Sequence, residues 1–141
     1  MEKYIDEVFG NLIHDIDFIR EYEVIFFNKK NKVELSVCAD CYDDINDFHR
    51  QTFLTFENNK TEIIRKLEIA VTGYCINYYG VSKEEALKNI EIESIIVDHK
   101  CNVNKRIIGF VINDEYDPEM GIGIEMINEE VHAIGTQHLV C

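Results

Sequence analysis

The sequence predicts one α+β domain over residues 1–141, in which a largely antiparallel sheet of about six strands packs against a long central helix and one or two shorter helices. Three observations support this class. Strand-like alternation is confined to the two ends of the chain, and helical spacing occupies the middle. The 141 residues, 46% of them apolar, are enough for one buried core. Strands grouped apart from helices favour an antiparallel sheet over a doubly wound fold.

The N-terminal part of the chain predicts a β-hairpin over residues 16–38. Its first strand, residues 18–27, is rich in aromatic and β-branched residues. In its second strand, residues 33–37, apolar and polar side chains alternate strictly, as in a half-buried strand. The polar residues 28–31 between them are typical of a hairpin loop. Residues 1–15 are weakly patterned and indicate only a turn or the start of a short strand.

The middle of the chain predicts two or three helices. Apolar spacing favours a first helix over about residues 44–56 and a long core helix over residues 60–79. We expect Asn59 to open the long helix through a capping box, and Gly80 to end it in the left-handed region. A second capping box begins at Ser82 and predicts a short helix that extends to about Asn89.

The C-terminal part predicts an antiparallel meander. Alternating or β-branched runs indicate strands over residues 90–96, 106–113 and 122–127. A last strand is expected over residues 131–140, with a bulge or bend at Gly135. Together with the N-terminal hairpin, these runs give the six expected strands.

The charge of the chain excludes some classes of partner. Asp and Glu number 27 against 14 Lys and Arg, which gives a net charge of −13. Such a charge repels nucleic-acid phosphates and speeds encounter with a basic protein. No apolar run approaches the length of a membrane span, and the N-terminus lacks the pattern of a secretion signal. We therefore expect a cytoplasmic protein whose five cysteines are reduced, with no nucleic-acid or membrane partner.

No motif in the chain indicates catalysis or a bound cofactor. Cys38 and Cys41 form a CxxC pair, but a zinc site requires four Cys or His ligands, and the loop with His99 and Cys101 lacks the spacing of a second pair. No nucleophile, base and acid form a recognisable set, and no glycine loop fits a phosphate. The sequence therefore predicts no catalytic residue, no metal site and no cofactor.

Residues 114–123 are the most distinctive stretch. They contain the only proline of the chain, two glycines and four acids, between two predicted strands. Asp117-Pro118 favours a turn, and Gly121 permits a positive φ at its end. The acids also form a candidate contact surface for a basic protein. The partner-binding residues predicted there are Asp114, Glu115, Tyr116, Asp117 and Glu119.

Residues 110–141 resemble the C-terminal signature of a family of small, uncharacterised bacterial domains. In that family a strand leads to a Trp-Asp-Pro-Glu-His-Gly motif, followed by a hairpin and a Gly-x-Gln/Asp strand. The matching residues are 116–123 and 135–139, with Tyr116 at the tryptophan position and Met120 at the histidine position. A metal or catalytic role of that histidine could not operate here. Similar small acidic domains often resemble immunity proteins of toxin systems.

These observations predict an acidic binding protein and not an enzyme. The expected function is that of an immunity protein or inhibitor that neutralises a basic toxin, such as a nuclease, by protein–protein contact. Two alternatives stay open. One is a metal-dependent hydrolase that uses the carboxylates of residues 114–119 with His132. The other is a structural or regulatory module that self-associates through a sheet edge. The sequence does not fix the oligomeric state.

Overall fold

The computed structural model describes residues 1–39, 42 and 44–141, and within them eight strands form one sheet accompanied by three α-helices. The strands are β1 (Glu2–Asp6), β2 (Gly10–His14), β3 (Phe18–Phe26), β4 (Lys29–Cys38), β5 (Ile90–Asp98), β6 (Ile107–Asp114), β7 (Ile122–Ile127) and β8 (Glu130–Gly135). The helices are α1 (Asp47–Asn58), α2 (Lys60–Tyr79) and α3 (Lys83–Lys88), with a 3₁₀ turn at Gln137–Leu139.

The order of the strands in the sheet is their order in the sequence. All neighbouring pairs are antiparallel except β4 and β5, which run parallel in the centre. A parallel pair needs a long crossover, and the three helices supply it. The sheet thus consists of two four-stranded meanders, β1–β4 and β5–β8, joined by one parallel pair. The predicted, largely antiparallel sheet is confirmed.

The helices cover one face of the sheet and form the hydrophobic core with it. Phe110 in the inner strand β6 is 0% exposed and pairs with Ile95 on one side and Ile124 on the other. All three side chains point towards the helices, because residues directly opposite each other share a face. The helical side chains in this core include Phe53, Phe56, Ile63, Leu67, Val71 and Cys75.

The long core helix was predicted correctly, but its start is built differently. Helix α2 spans Lys60–Tyr79, and Gly80 ends it with φ 67°, as expected. Asn59, however, makes no side-chain cap. Its side-chain amide instead donates to the Thr55 carbonyl at 2.8 Å. Because α1 continues to Asn58, Asn59 is the only residue between the two helices and closes the first one.

The sheet has eight strands and not about six, because residues 2–14 form an additional hairpin. The Asp6 carboxylate accepts hydrogen bonds from Val8 N at 2.9 Å and Phe9 N at 3.0 Å, which stabilises the turn between β1 and β2. Arg50 from α1 donates to the other oxygen of the same carboxylate at 2.8 Å. One buried acid therefore ties this hairpin to the helical layer.

The C-terminal strand is shorter than predicted. Strand β8 ends at Gly135, and the 3₁₀ turn replaces the expected strand at residues 136–140. The irregularity in β8 lies earlier, where the register shifts between Val131 and Ala133. A turn at Asn128 and Glu129, which have φ 50° and 65°, joins β7 to β8.

Two further expectations concern the cysteines and membranes. Cys101 is disulfide-bonded, so the expectation of five reduced thiols is wrong for this residue. Cys41 of the CxxC pair lies outside the described residues. Among the described helices, none combines the length and the apolar character needed to cross a bilayer.

Candidate functional site

The last residue of β6 and the loop that follows it, residues 114–121, are organised around Asp114. We call these residues the acidic loop. Asp114 is only 2% exposed, and its carboxylate accepts hydrogen bonds from the Tyr79 hydroxyl and, at 2.9 Å, from Tyr116 N. Burial, and then the hydrogen bond to this carboxylate, raise the pKa of Tyr79. The first of the predicted contact residues is therefore not at the surface, and it holds the loop in place.

Tyr116 anchors the acidic loop from its other side. Its ring stacks on Tyr79 with the ring centroids 4.7 Å apart, and its hydroxyl accepts a hydrogen bond from the Asn89 side-chain amide at 2.9 Å. Glu115 N donates to the Asn89 carbonyl at 3.0 Å. These contacts leave Tyr116 half-buried at the end of α3, so a partner could reach only part of its ring.

The remaining predicted residues present carboxylates at the surface. Glu115 and Glu119 are exposed and Asp117 is half-buried. Within the described residues, none of the three makes an ion pair. Of the five predicted contact residues, the structure thus assigns two to the frame of the loop and three to its charged rim.

The C-terminal residues 136–141 connect the acidic loop to the sheet face opposite the helices, which we call the open face. Gln137 N donates to the Met120 carbonyl at 2.8 Å, and the Gln137 side-chain amide donates to the Glu119 carbonyl at 3.0 Å. From there the segment lies across β7 and β6. A Cβ at Gly123 would be 2.5 Å from Thr136 O, and one at Gly109 would be 2.8 Å from Val140 Cβ. Only glycine permits so close an approach.

A groove of about 540 Å³ lies on the open face between the C-terminal segment and the loop at Ile16 and Asp17. We call it the open-face groove. Strands β4, β5 and β6 form its floor, with Ile96 and Ile107 as apolar residues. Its acidic lining residues among those described are Asp17, Glu34, Asp98 and Glu125, and its basic one is Lys100. The volume is in the usual range of ligand sites.

The charges of the open-face groove do not cancel. Lys100 Nζ is 2.9 Å from the Glu125 carboxylate, so its charge is already neutralised. This contact, ahead of the opposing effect of burial, raises the pKa of Lys100. Glu34, by contrast, is exposed and makes no ion pair within the described residues, so one carboxylate of the groove keeps no cationic partner there.

Two buried serines lie in the same groove. Ser36 is 7% and Ser94 is 8% exposed. The Ser36 hydroxyl donates to Asp17 at 3.2 Å. The Ser94 hydroxyl has no hydrogen-bond partner within the part of the chain that the structure describes, although it lines the groove. Sequence reasoning missed this site because its residues come from six separate segments. The only local signals were a glycine inside each of β6 and β7.

The histidines on the helical side have structural roles. His49 is 0% exposed; its Nε2–H donates to the Cys38 carbonyl at 2.8 Å, and its Nδ1 accepts from Asn46 N at 3.1 Å. Burial lowers the pKa of His49. His99 stacks against Phe48, with the ring centroids 4.3 Å apart. No group of three or more His, Cys, Asp or Glu side chains among the described residues is arranged to hold a metal ion.

Comparison with models of known protein families identifies the family of this chain. Residues 8–141 match the family described as a domain of unknown function, DUF6985. The chain belongs to DUF6985. The expected likeness to an uncharacterised domain family is confirmed at this level, and the DUF6985 match covers the core, the acidic loop and the open-face groove. No curated protein and no solved structure matches the chain.

Proposed function

We propose that this protein is an acidic binding protein that works as an immunity protein or inhibitor and neutralises a basic toxin domain, such as a nuclease, by surface contact. One observation carries the proposal. Glu115, Asp117 and Glu119 lie together on the rim of the acidic loop and have no ion-pair partner within the described residues. Their charges are available to cations of another molecule, which electrostatic complementarity would recruit.

The frame of the acidic loop supports the same proposal. The buried Asp114 carboxylate, the stacked ring of Tyr116 and the bonds from Gln137 fix the backbone between the three rim acids. A loop that is ordered before binding loses less conformational entropy when a partner docks. The rim acids are thus held in position for contact.

The net charge adds a kinetic argument. A protein at −13 attracts a basic partner over a distance set by the ionic strength, about 10 Å at 0.1 M salt. The association rate should therefore fall steeply with added salt, while the dissociation rate changes little. Nucleic acid, which carries the same sign of charge, is not expected to bind.

The first experiment identifies the partner. The full chain is immobilised and exposed to proteins of its own organism at low salt; a basic protein should be retained and released by salt. Co-expression should relieve the growth inhibition that this partner causes. If no basic protein is retained, or if the retained protein is as harmful in the presence of the chain as without it, the proposal fails.

The second experiment locates the contact. We compare the triple variant Glu115→Gln/Asp117→Asn/Glu119→Gln with the parent chain for binding to the captured partner. Loss of three charge contacts should weaken binding at least tenfold. A contact surface elsewhere predicts no such loss.

A matched triple variant controls for net charge. Glu2, Glu23 and Glu84 are exposed acids without an ion pair among the described residues, and they lie on β1, β3 and α3. Their replacement by Gln removes the same charge and should slow association only slightly. Equal losses in both triple variants would show that net charge alone attracts the partner, and would exclude the acidic loop as the contact.

A further inference from the structure

We propose that the open-face groove binds an extended, basic segment of the partner protein and seats a Lys or Arg side chain on its floor. This inference rests on the proposed function, because it names the second surface that the same basic partner would contact. The groove lies beside the acidic loop, and residues 137–141 join the two.

The lining of the groove fits a long cationic side chain. Ile96 and Ile107 supply apolar floor for an aliphatic stem, as Lys and Arg stems commonly lie on apolar surface. Glu34 is exposed at the rim, where a carboxylate can receive the cationic head. Since Lys100 is already paired with Glu125, the groove supplies no competing cation among its described lining residues.

The hydroxyl of Ser94 is a separate sign of a ligand. Ser94 is 8% exposed, lines the groove and has no hydrogen-bond partner within the described part of the chain. Every fully buried polar side-chain atom of the described residues does have a partner, so the Ser94 hydroxyl reaches into the groove. A ligand that covers this hydroxyl must bond to it, because an unpaired polar group is costly once it is removed from water. A backbone N–H or C=O of an extended segment would supply that bond.

The walls of the groove also favour a polypeptide. On one side Ile16 is 89% exposed, and on the other Leu139 is 38% exposed, so apolar side chains stand at both rims. A chain with apolar residues on either side of a Lys or Arg would cover these two side chains. The C-terminal wall is fixed to the sheet by the close contacts at Gly109 and Gly123, so the groove exists before a ligand arrives.

The test uses the full chain and a defined probe. An acetylated, amidated peptide Leu-Ile-Arg-Ile-Lys-Leu is titrated by calorimetry and by two-dimensional NMR at low salt, with a peptide that carries Glu at the Arg and Lys positions as its counterpart. We expect the basic peptide to bind, with shifts at the amides of Ser94, Ile96 and Val140, and the acidic peptide not to bind. Shifts confined to other surfaces would overturn the proposal.

Two variants test the residues, and one serves as control. Glu34→Gln and Ser94→Ala should each raise the dissociation constant of the basic peptide about fivefold. This factor corresponds to the loss of one hydrogen bond or one charge contact of about 1 kcal/mol. Glu84→Gln removes an exposed acid on the helical side and should leave binding unchanged. Denaturation curves verify that all three variants are folded. Parent-like affinity of both groove variants would refute the assignment.

Two further arms separate this inference from the proposed function. Spermidine, a small polyamine, should not displace the peptide at equal concentration; if it does, the groove recognises a small cation and not a protein segment. If the captured partner loses affinity with the acidic-loop triple variant but not with Glu34→Gln or Ser94→Ala, the proposed function stands and the groove assignment falls. If the peptide binds specifically in the groove but no partner is captured, the groove assignment stands and the proposed function falls.

Discussion

Replacing the glycines beneath the C-terminal segment should destabilise the protein to different degrees. A Cβ at position 123 would meet Thr136 O at 2.5 Å and Gln137 Cα at 3.1 Å, and both atoms belong to the backbone. A Cβ at position 109 would meet the Val140 side chain, with Cβ at 2.8 Å and Cγ1 at 3.0 Å. A side chain near the chain end can move, whereas the backbone at Thr136 is held by Gln137 and the acidic loop.

The expected magnitudes follow from this difference. Overpacking costs about 1–3 kcal/mol, and alanine returns about 0.4–1 kcal/mol because it restricts the unfolded chain. The difference between these two contributions is a net loss of up to about 2.6 kcal/mol. We expect Gly123→Ala to lie in the upper part of this range and to lower the free energy of unfolding by about 2 kcal/mol. Gly109→Ala should lower it by about 1 kcal/mol or less. Gly135 is the matched control, since a Cβ there has nothing within 4 Å. Gly135→Ala should be neutral or slightly stabilising.

The assay is urea denaturation of the parent chain and the three variants, and an unchanged m-value shows that only the stability has changed. A double-mutant cycle of Gly109→Ala with Val140→Gly should show favourable coupling of at least about 0.5 kcal/mol, because Val140→Gly removes the clashing side chain. Amide exchange at Gln137 reports whether the segment stays attached. Equal stability of Gly123→Ala and Gly135→Ala, with unchanged exchange at Gln137, would show that the segment does not lie on β7.

Three other changes have defined outcomes. Tyr79→Phe removes the one side-chain hydrogen bond that buried Asp114 accepts from the described residues, and it should lower the free energy of unfolding by about 1–3 kcal/mol in urea denaturation. Tyr78→Phe, at a residue 71% exposed, should cost almost nothing. Equal costs would contradict the role of Asp114. Gly73→Ala places a methyl in α2 where nothing lies within 4 Å and should stabilise by up to about 1 kcal/mol; a loss of stability would refute the open space there. Burial lowers the pKa of His49 in the folded protein. As the pH drops below about 6.5, the pKa of histidine in the unfolded chain, the unfolded state therefore takes up the proton first. The free energy of unfolding consequently falls with the pH. Between pH 7 and pH 5.5, the free energy of unfolding should fall less for His49→Gln than for the parent chain, by up to about 1.4 kcal/mol per pH unit. The same pH dependence in both proteins would contradict this role of His49.

Local sequence patterns were enough to predict the elements whose own apolar spacing determines their secondary structure. Helix α2 and the hairpin of β3 and β4 could be predicted because one face of each is apolar at the proper period. The hairpin of β1 and β2 could not, since few of its residues are buried and its turn depends on Asp6 and Arg50. Its stability comes from tertiary contacts.

The functional surface was predictable only in part. The density of acids located the acidic loop, but the burial of Asp114 depends on Tyr79, which is 35 positions away in the chain. Residues 136–140 were expected to extend the last strand, yet Gln137–Leu139 form a 3₁₀ turn. The segment lies on the open face instead, where the glycines of β6 and β7 leave room for it. Apart from these two glycines, the open-face groove has no local signature, because it exists only after β4, β5 and the C-terminal segment meet.

The single parallel pair at the centre of the sheet has a consequence for biosynthesis. During translation β4 is complete long before β5 is made, because residues 39–89 lie between them. The nascent meander therefore carries an unpaired edge that could join another chain. Even in the native sheet β5 pairs only with Glu34–Cys38 of β4, and the uncovered half carries Lys29, Lys30 and Lys32. Lysines on an open strand edge oppose intermolecular pairing, so this half of β4 is protected against aggregation both on the ribosome and after folding.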